Sequence, residues 1–101
     1  MSPETYRNAG ASVDERVADL LSRMTLEEKV AQLGAIWVTQ LVNDDGFDDA
    51  VAHDLLAAGI GQITRIGAST GLLAEDSARL INRIQRVALE HTRLGIPVLL
   101  H

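Results

Sequence analysis

The chemistry-bearing side chains fall into a few groups, and most of them fit structural tasks. Glu27 and Glu28 are the nearest thing to a carboxylate pair, but neighbours on a helix point about 100° apart, so they read as charges at a helix start. Asn43, Asp44, Asp45, Asp48 and Asp49 form an acidic cluster around Gly46. A calcium loop set on Asn43, Asp45 and Gly46 needs an acid where Leu41 stands and a glutamate where Ala52 stands, so the pattern fails. His53, His91 and His101 have no metal-ligand spacing, and no metal or other cofactor is expected. Gly67-Ala-Ser-Thr-Gly71 follows an apolar run, where backbone N–H groups can cradle phosphate, yet it lacks the P-loop lysine and the GxGxxG spacing. A flexible loop, serving as a subsite loop or a plain linker, is the expectation there. Trp37 offers the single indole face, and Arg65 a guanidinium that can orient a carboxylate or enter a structural ion pair.

The elements that must position these groups follow from hydrophobic period and punctuation. Ser12-Val-Asp-Glu15 and Thr25-Leu-Glu-Glu28 are capping-box sequences. The stripes Val13, Val17, Leu20, Leu21, Met24 and Leu26, Val30, Leu33 predict two short helices over 12–33. Ala35-Ile-Trp-Val38 reads as a strand, with Trp37 placed mid-strand as core packing. Asn43-Asp-Asp-Gly46 is a turn signal, and a helix carrying Val51, Leu55 and Leu56 starts near Asp48 and stops at Gly59. Ile60–Ile66 is a second strand, 74–94 a long amphipathic helix ended by Gly95, and Ile96–Leu100 a third strand. Strands alternating with helices imply an α/β fold with a parallel sheet. Residues 1–11 are an N-terminal extension, 12–33 a helical lead-in, and 34–101 a sheet that three strands leave with open edges and an uncovered face.

With 101 residues the chain is too short for a whole (β/α)8 barrel, and 47% apolar with 23% charged is ordinary globular composition. A net charge of −5 without a basic stripe argues against nucleic acid. No apolar run suits a signal peptide or a membrane span, so a cytoplasmic location is expected. Cysteine is absent.

Four blocks carry a family resemblance: residues 15–33 (Glu15 to Leu33), Gly59-Ile-Gly-Gln-Ile-Thr-Arg65, Asn82-Arg-Ile-Gln85, and Thr92-Arg-Leu-Gly-Ile-Pro-Val-Leu-Leu-His101. Together they resemble the opening of glycoside hydrolase family 3, in its bacterial β-glucosidase and β-xylosidase branch. The resemblance implies that the chain is the first three β/α units of a (β/α)8 TIM-type barrel, an incomplete fold completed by the remaining barrel and a following α/β domain. It implies a retaining β-glycosidase whose aspartate nucleophile and glutamate acid/base lie beyond His101, so that this piece holds no catalytic residue and is expected to be inactive alone. Barrel chemistry sits at the C-terminal ends of the strands. Trp37, Arg65 and His101 are therefore the candidate substrate-binding residues, Trp37 by stacking on a sugar ring and His101 by hydrogen bonding a hydroxyl. The alternative is a stand-alone α/β interaction or assembly module completed by a partner chain.

Overall fold

The computed structural model describes residues 4–101. Helix α1 (Val13–Arg23) starts at Ser12, whose side chain accepts from the Glu15 N–H; α2 (Leu26–Gln32) starts at a complete, reciprocal Thr25/Glu28 capping box. Strand β1 (Ala35–Trp37) follows, then a 3-10 turn (Val38–Gln40) and a small antiparallel hairpin of β2 (Val42–Asn43) and β3 (Gly46–Phe47). Next come α3 (Asp49–Leu55), β4 (Gln62–Thr64), the one-turn helix α4 (Ile66–Thr70), α5 (Ala74–Glu90) and β5 (Leu99–Leu100).

The main sheet is parallel, with β4 central in the order β1-β4-β5. This is the mixed α/β arrangement the alternating pattern predicts, but each strand is shorter than expected, for local reasons. Val38 leaves the first strand for the 3-10 turn. In the second, Arg65 takes a left-handed conformation (φ 65°) and stops the ladder. Pro97 has no N–H, and the Val98 N–H donates 2.9 Å to the Gln85 side chain instead of a strand, while Gln85 Nε2 donates 2.7 Å to the Val98 carbonyl. The third strand is thereby reduced to Leu99 and Leu100, and a glutamine of α5 takes over its pairing. The long helix stops at Glu90 rather than residue 94. Thr92 Oγ1 donates to the Ala88 carbonyl at 2.5 Å and accepts from the Gly95 N–H at 3.2 Å. Gly95 then makes the left-handed turn (φ 62°).

Side chains alternate across the sheet. Ile63 points to the side covered by α3 and α5, and is fully buried with Val38, Leu41, Leu56 and Ile84. On α5, Leu80, Ile84, Val87 and Ala88 form the buried stripe, at the spacing read from the sequence. The opposite face of the sheet is open: Ala35, Trp37, Gln62 and Leu99 are exposed. Among the described residues, α1 buries none of its stripe. Val13 is 72% exposed and Leu33, after α2, 89%.

The lead-in helices are tied to the rest by polar contacts. Glu28 is 9% exposed and pairs bidentately with Arg93, through Nε at 3.1 Å and through Nη2; Nη2 also donates 2.6 Å to the Arg23 carbonyl. The Tyr6 hydroxyl and Arg7 Nη2 each donate 3.0 Å to the Leu94 carbonyl. At the start of β4, Gly61 passes so close to α2 that a Cβ there would sit 2.1 Å from the Gln32 carbonyl oxygen.

Candidate functional site

The C-terminal edge of the parallel sheet is where the sequence placed its candidates, and the register brings them into one neighbourhood. Trp37 ends β1 opposite Thr64 of β4. Just past β5 the His101 N–H still donates to Ile63 O (3.2 Å) in step with the ladder, while its carbonyl accepts from the Ile66 N–H (3.1 Å), beyond the turn at Arg65. His101 is thus held in strand register opposite Thr64. Directly paired residues share a face. Trp37, Thr64 and His101 therefore form one row across the open face, about 10 Å from end to end at the usual strand spacing.

Trp37 is 54% exposed, so its expected place in the core is corrected. In a strand only three residues long, alternation sends Ile36 toward the helices and leaves Ala35 and Trp37 on the open face. Arg65 stacks its guanidinium 4.4 Å from the centre of the Trp37 ring. Among the described residues it has no carboxylate partner, so the expected structural ion pair is replaced by this cation–π contact. Arg65 is also the one non-glycine residue with positive φ among those described. Such conformations are costly for a residue with a Cβ and cluster at functional sites.

His101 Nε2 lies 3.4 Å from Gln62 Oε1, two positions from Thr64 on the same face. Gln62 and Thr64 were not among the sequence candidates. The signal that finds them is the period of two counted back from the strand end. The edge can therefore offer an aromatic plane braced by a cation, with an imidazole, an amide and a hydroxyl beside it. This set suits a polyol ring with one apolar face and several hydroxyls. Among the described residues no carboxylate hydrogen bonds to Trp37, Arg65 or His101, so the edge has no acid/base pair of its own.

The remaining motifs have structural tasks. Glu28 is drawn down from 4.5 to about 2, first by its hydrogen bonds from Arg93 and then by the Thr25 N–H, and it works as a cap and a tie between elements. In the acidic cluster, Asp48 caps α3 by accepting from the Val51 N–H at 3.1 Å. Asn43 shapes the hairpin turn by accepting from the Asp45 N–H at 2.8 Å. The 67–71 segment is not a flexible loop: 66–70 is a single helical turn, closed by Gly71 at φ 66°. One juxtaposition has no trace in the spacing. The rings of His53 on α3 and His91 after α5 meet with centroids 4.5 Å apart, 38 positions apart in the chain.

No protein-family profile matches the chain. Among curated proteins it is similar to a probable beta-glucosidase C of Aspergillus flavus, with 43% identity over 96% of this chain and 16% of that protein. It is also similar to beta-glucosidase C of Emericella nidulans, with 42% identity over 92% of this chain and 15% of that protein. A putative beta-xylosidase of Formosa agariphila is 35% identical over 93% of this chain and 13% of that protein. The chain spans about 16% of the length of the first of these relatives.

Proposed function

We propose that this chain forms the opening of the barrel domain of a retaining family 3 glycoside hydrolase that cleaves β-glucosides or β-xylosides. The observation that carries the proposal is the 43% identity to a probable beta-glucosidase C across 96% of the chain. The sheet supports it physically. Consecutive parallel strands with helices on one face only, and polar groups gathered at their C-terminal edge, are what the start of a (β/α)8 barrel requires.

In this reading the open face becomes barrel interior, and the exposed Leu99 and Ala35 are covered by later strands. Trp37 stacks on the C–H face of a sugar and Arg65 holds the indole in place. His101 and Gln62 share hydrogen bonds with its hydroxyls. The two carboxyl groups needed for retention, about 5–5.5 Å apart, come from residues outside these 101. The segment provides one wall of the subsite and no proton transfer or nucleophile. The test is an assay of the longer polypeptide containing this segment, alongside the 101-residue chain, on aryl β-glucosides and β-xylosides. The longer protein is expected to release sugar with retained configuration, seen by proton NMR of the first-formed anomer. Turnover by the purified 101-residue chain, with host glycosidases excluded, refutes the proposed division of labour, and an inverted first product refutes the mechanism.

A further inference from the structure

At the edge of the sheet opposite Trp37 and His101, helix α2 runs into β1 beside the segments that enter β4 and β5. Two glycines let the β4 segment pass. At Gly61 a Cβ would meet the Gln32 carbonyl oxygen, and at Gly59 (φ 90°) it would lie 3.0 Å from Gln32 Nε2. That amide nitrogen is buried and, among the described residues, has no hydrogen-bond partner. A buried amide left without a partner is costly, and native proteins rarely keep one. The Gln32 side chain lines a narrow gap of about 10 Å³ whose other polar side chains are Glu28 and Thr92, with Leu94 and Ile96 as apolar walls.

The geometry points to this gap as the binding site of a single internal water that joins Gln32 to Glu28 and Thr92. Its size is that of one water, since about 10–15 Å³ of such space is the least that holds one. Counting lone pairs leaves acceptors for it. The Glu28 carboxylate has about four acceptor sites and uses three, for the Thr25 N–H at 2.9 Å, Arg93 Nε at 3.1 Å and Arg93 Nη2. Thr92 Oγ1 donates to the Ala88 carbonyl and accepts from the Gly95 N–H, which leaves it one lone pair. The water accepts from Gln32 and donates to these two oxygens, the usual set of bonds for a buried water. It is a neutral second link between α2 and the loop after α5, beside the Glu28–Arg93 ion pair.

Oxygen-17 relaxation dispersion of the solvent counts whole waters held longer than the molecule tumbles and is blind to proton exchange. The 101-residue chain is compared with Gln32→Met, which keeps the length of the side chain and removes the amide; circular dichroism checks the fold. The dispersion amplitude is expected to fall in the variant by about one water's contribution. An unchanged amplitude in the folded variant overturns the inference. A crystal structure of the unaltered protein is the second measurement, and it does not depend on the variant folding. It should show one solvent peak at hydrogen-bond distance, about 2.7–3.2 Å, from Gln32 Nε2 and from an oxygen of Glu28 or Thr92. No peak there, or Gln32 bonded directly to a protein group instead, would overturn it as well.

Discussion

Replacing Glu28 by glutamine removes one negative charge at the joint between the lead-in helices and the loop after α5. The glutamine can still accept from the Thr25 N–H, so the cap geometry survives and the charge alone is tested. Holding a carboxyl at about 2 instead of 4.5 corresponds to at most about 3 kcal/mol at neutral pH. Arg93 is 55% exposed, and solvent screening on its side brings the expected loss to about 1–2 kcal/mol. The sign follows from the lowered value. The stabilisation is complete above about pH 5 and disappears as the carboxylate takes up a proton between pH 4.5 and 2. Urea unfolding of both proteins, followed by circular dichroism in half-unit steps from pH 7 to pH 2, therefore gives a gap of about 1–2 kcal/mol at pH 7. The gap should close at the acid end. Asp19 is also held low, by Arg23 and the Tyr6 N–H, but it contributes equally to both proteins and cancels in the difference. A gap that is absent at pH 7, or that stays constant down to pH 2, refutes the account of Glu28 as a charged tie.

Gly61→Ala forces a Cβ to 2.1 Å from the Gln32 carbonyl oxygen, so a loss of at least about 2 kcal/mol is expected by thermal or urea unfolding. Gly67→Ala, where a Cβ meets nothing within 4 Å, is the control and should cost less than about 1 kcal/mol. At Arg65, φ 65° makes glycine the easier residue: Arg65→Gly should be about 1 kcal/mol more stable than Arg65→Ala, since both lose the Trp37 contact and only alanine keeps the strain. Ile84→Ala, at a fully buried position, should cost about 2–5 kcal/mol.

Apart from the one-turn α4, the helices were legible because their signals are local. Ser12 and Thr25 cap where the sequence places them, and Leu80, Ile84, Val87 and Ala88 need only the 3.6 period. Strand ends were not, because they depend on partners distant in sequence. Ile96 to Val98 looks like strand until Gln85 captures Val98, and Ile60 to Ile66 until Arg65 turns left-handed. The hairpin was visible only as a turn at 43–46, its two-residue strands being too short for a period. At the candidate site, Trp37, Arg65 and His101 were found from the rule that strands end at the site. That Arg65 stacks on Trp37 rather than pairing with an acid follows from a backbone dihedral that no spacing encodes. The Glu28–Arg93 tie and the His53–His91 contact span 65 and 38 positions, and only the packing of α2, α3 and α5 brings them together.

The central claim is that the C-terminal edge of the parallel sheet is one wall of a glycoside subsite. A crystal structure of the longer polypeptide containing this segment, soaked with glucose, tests it most directly. The account predicts a sugar ring against the Trp37 indole, with hydroxyls within hydrogen-bond distance of His101 or Gln62. A sugar bound elsewhere, with Trp37 and His101 both remote from it, would contradict it.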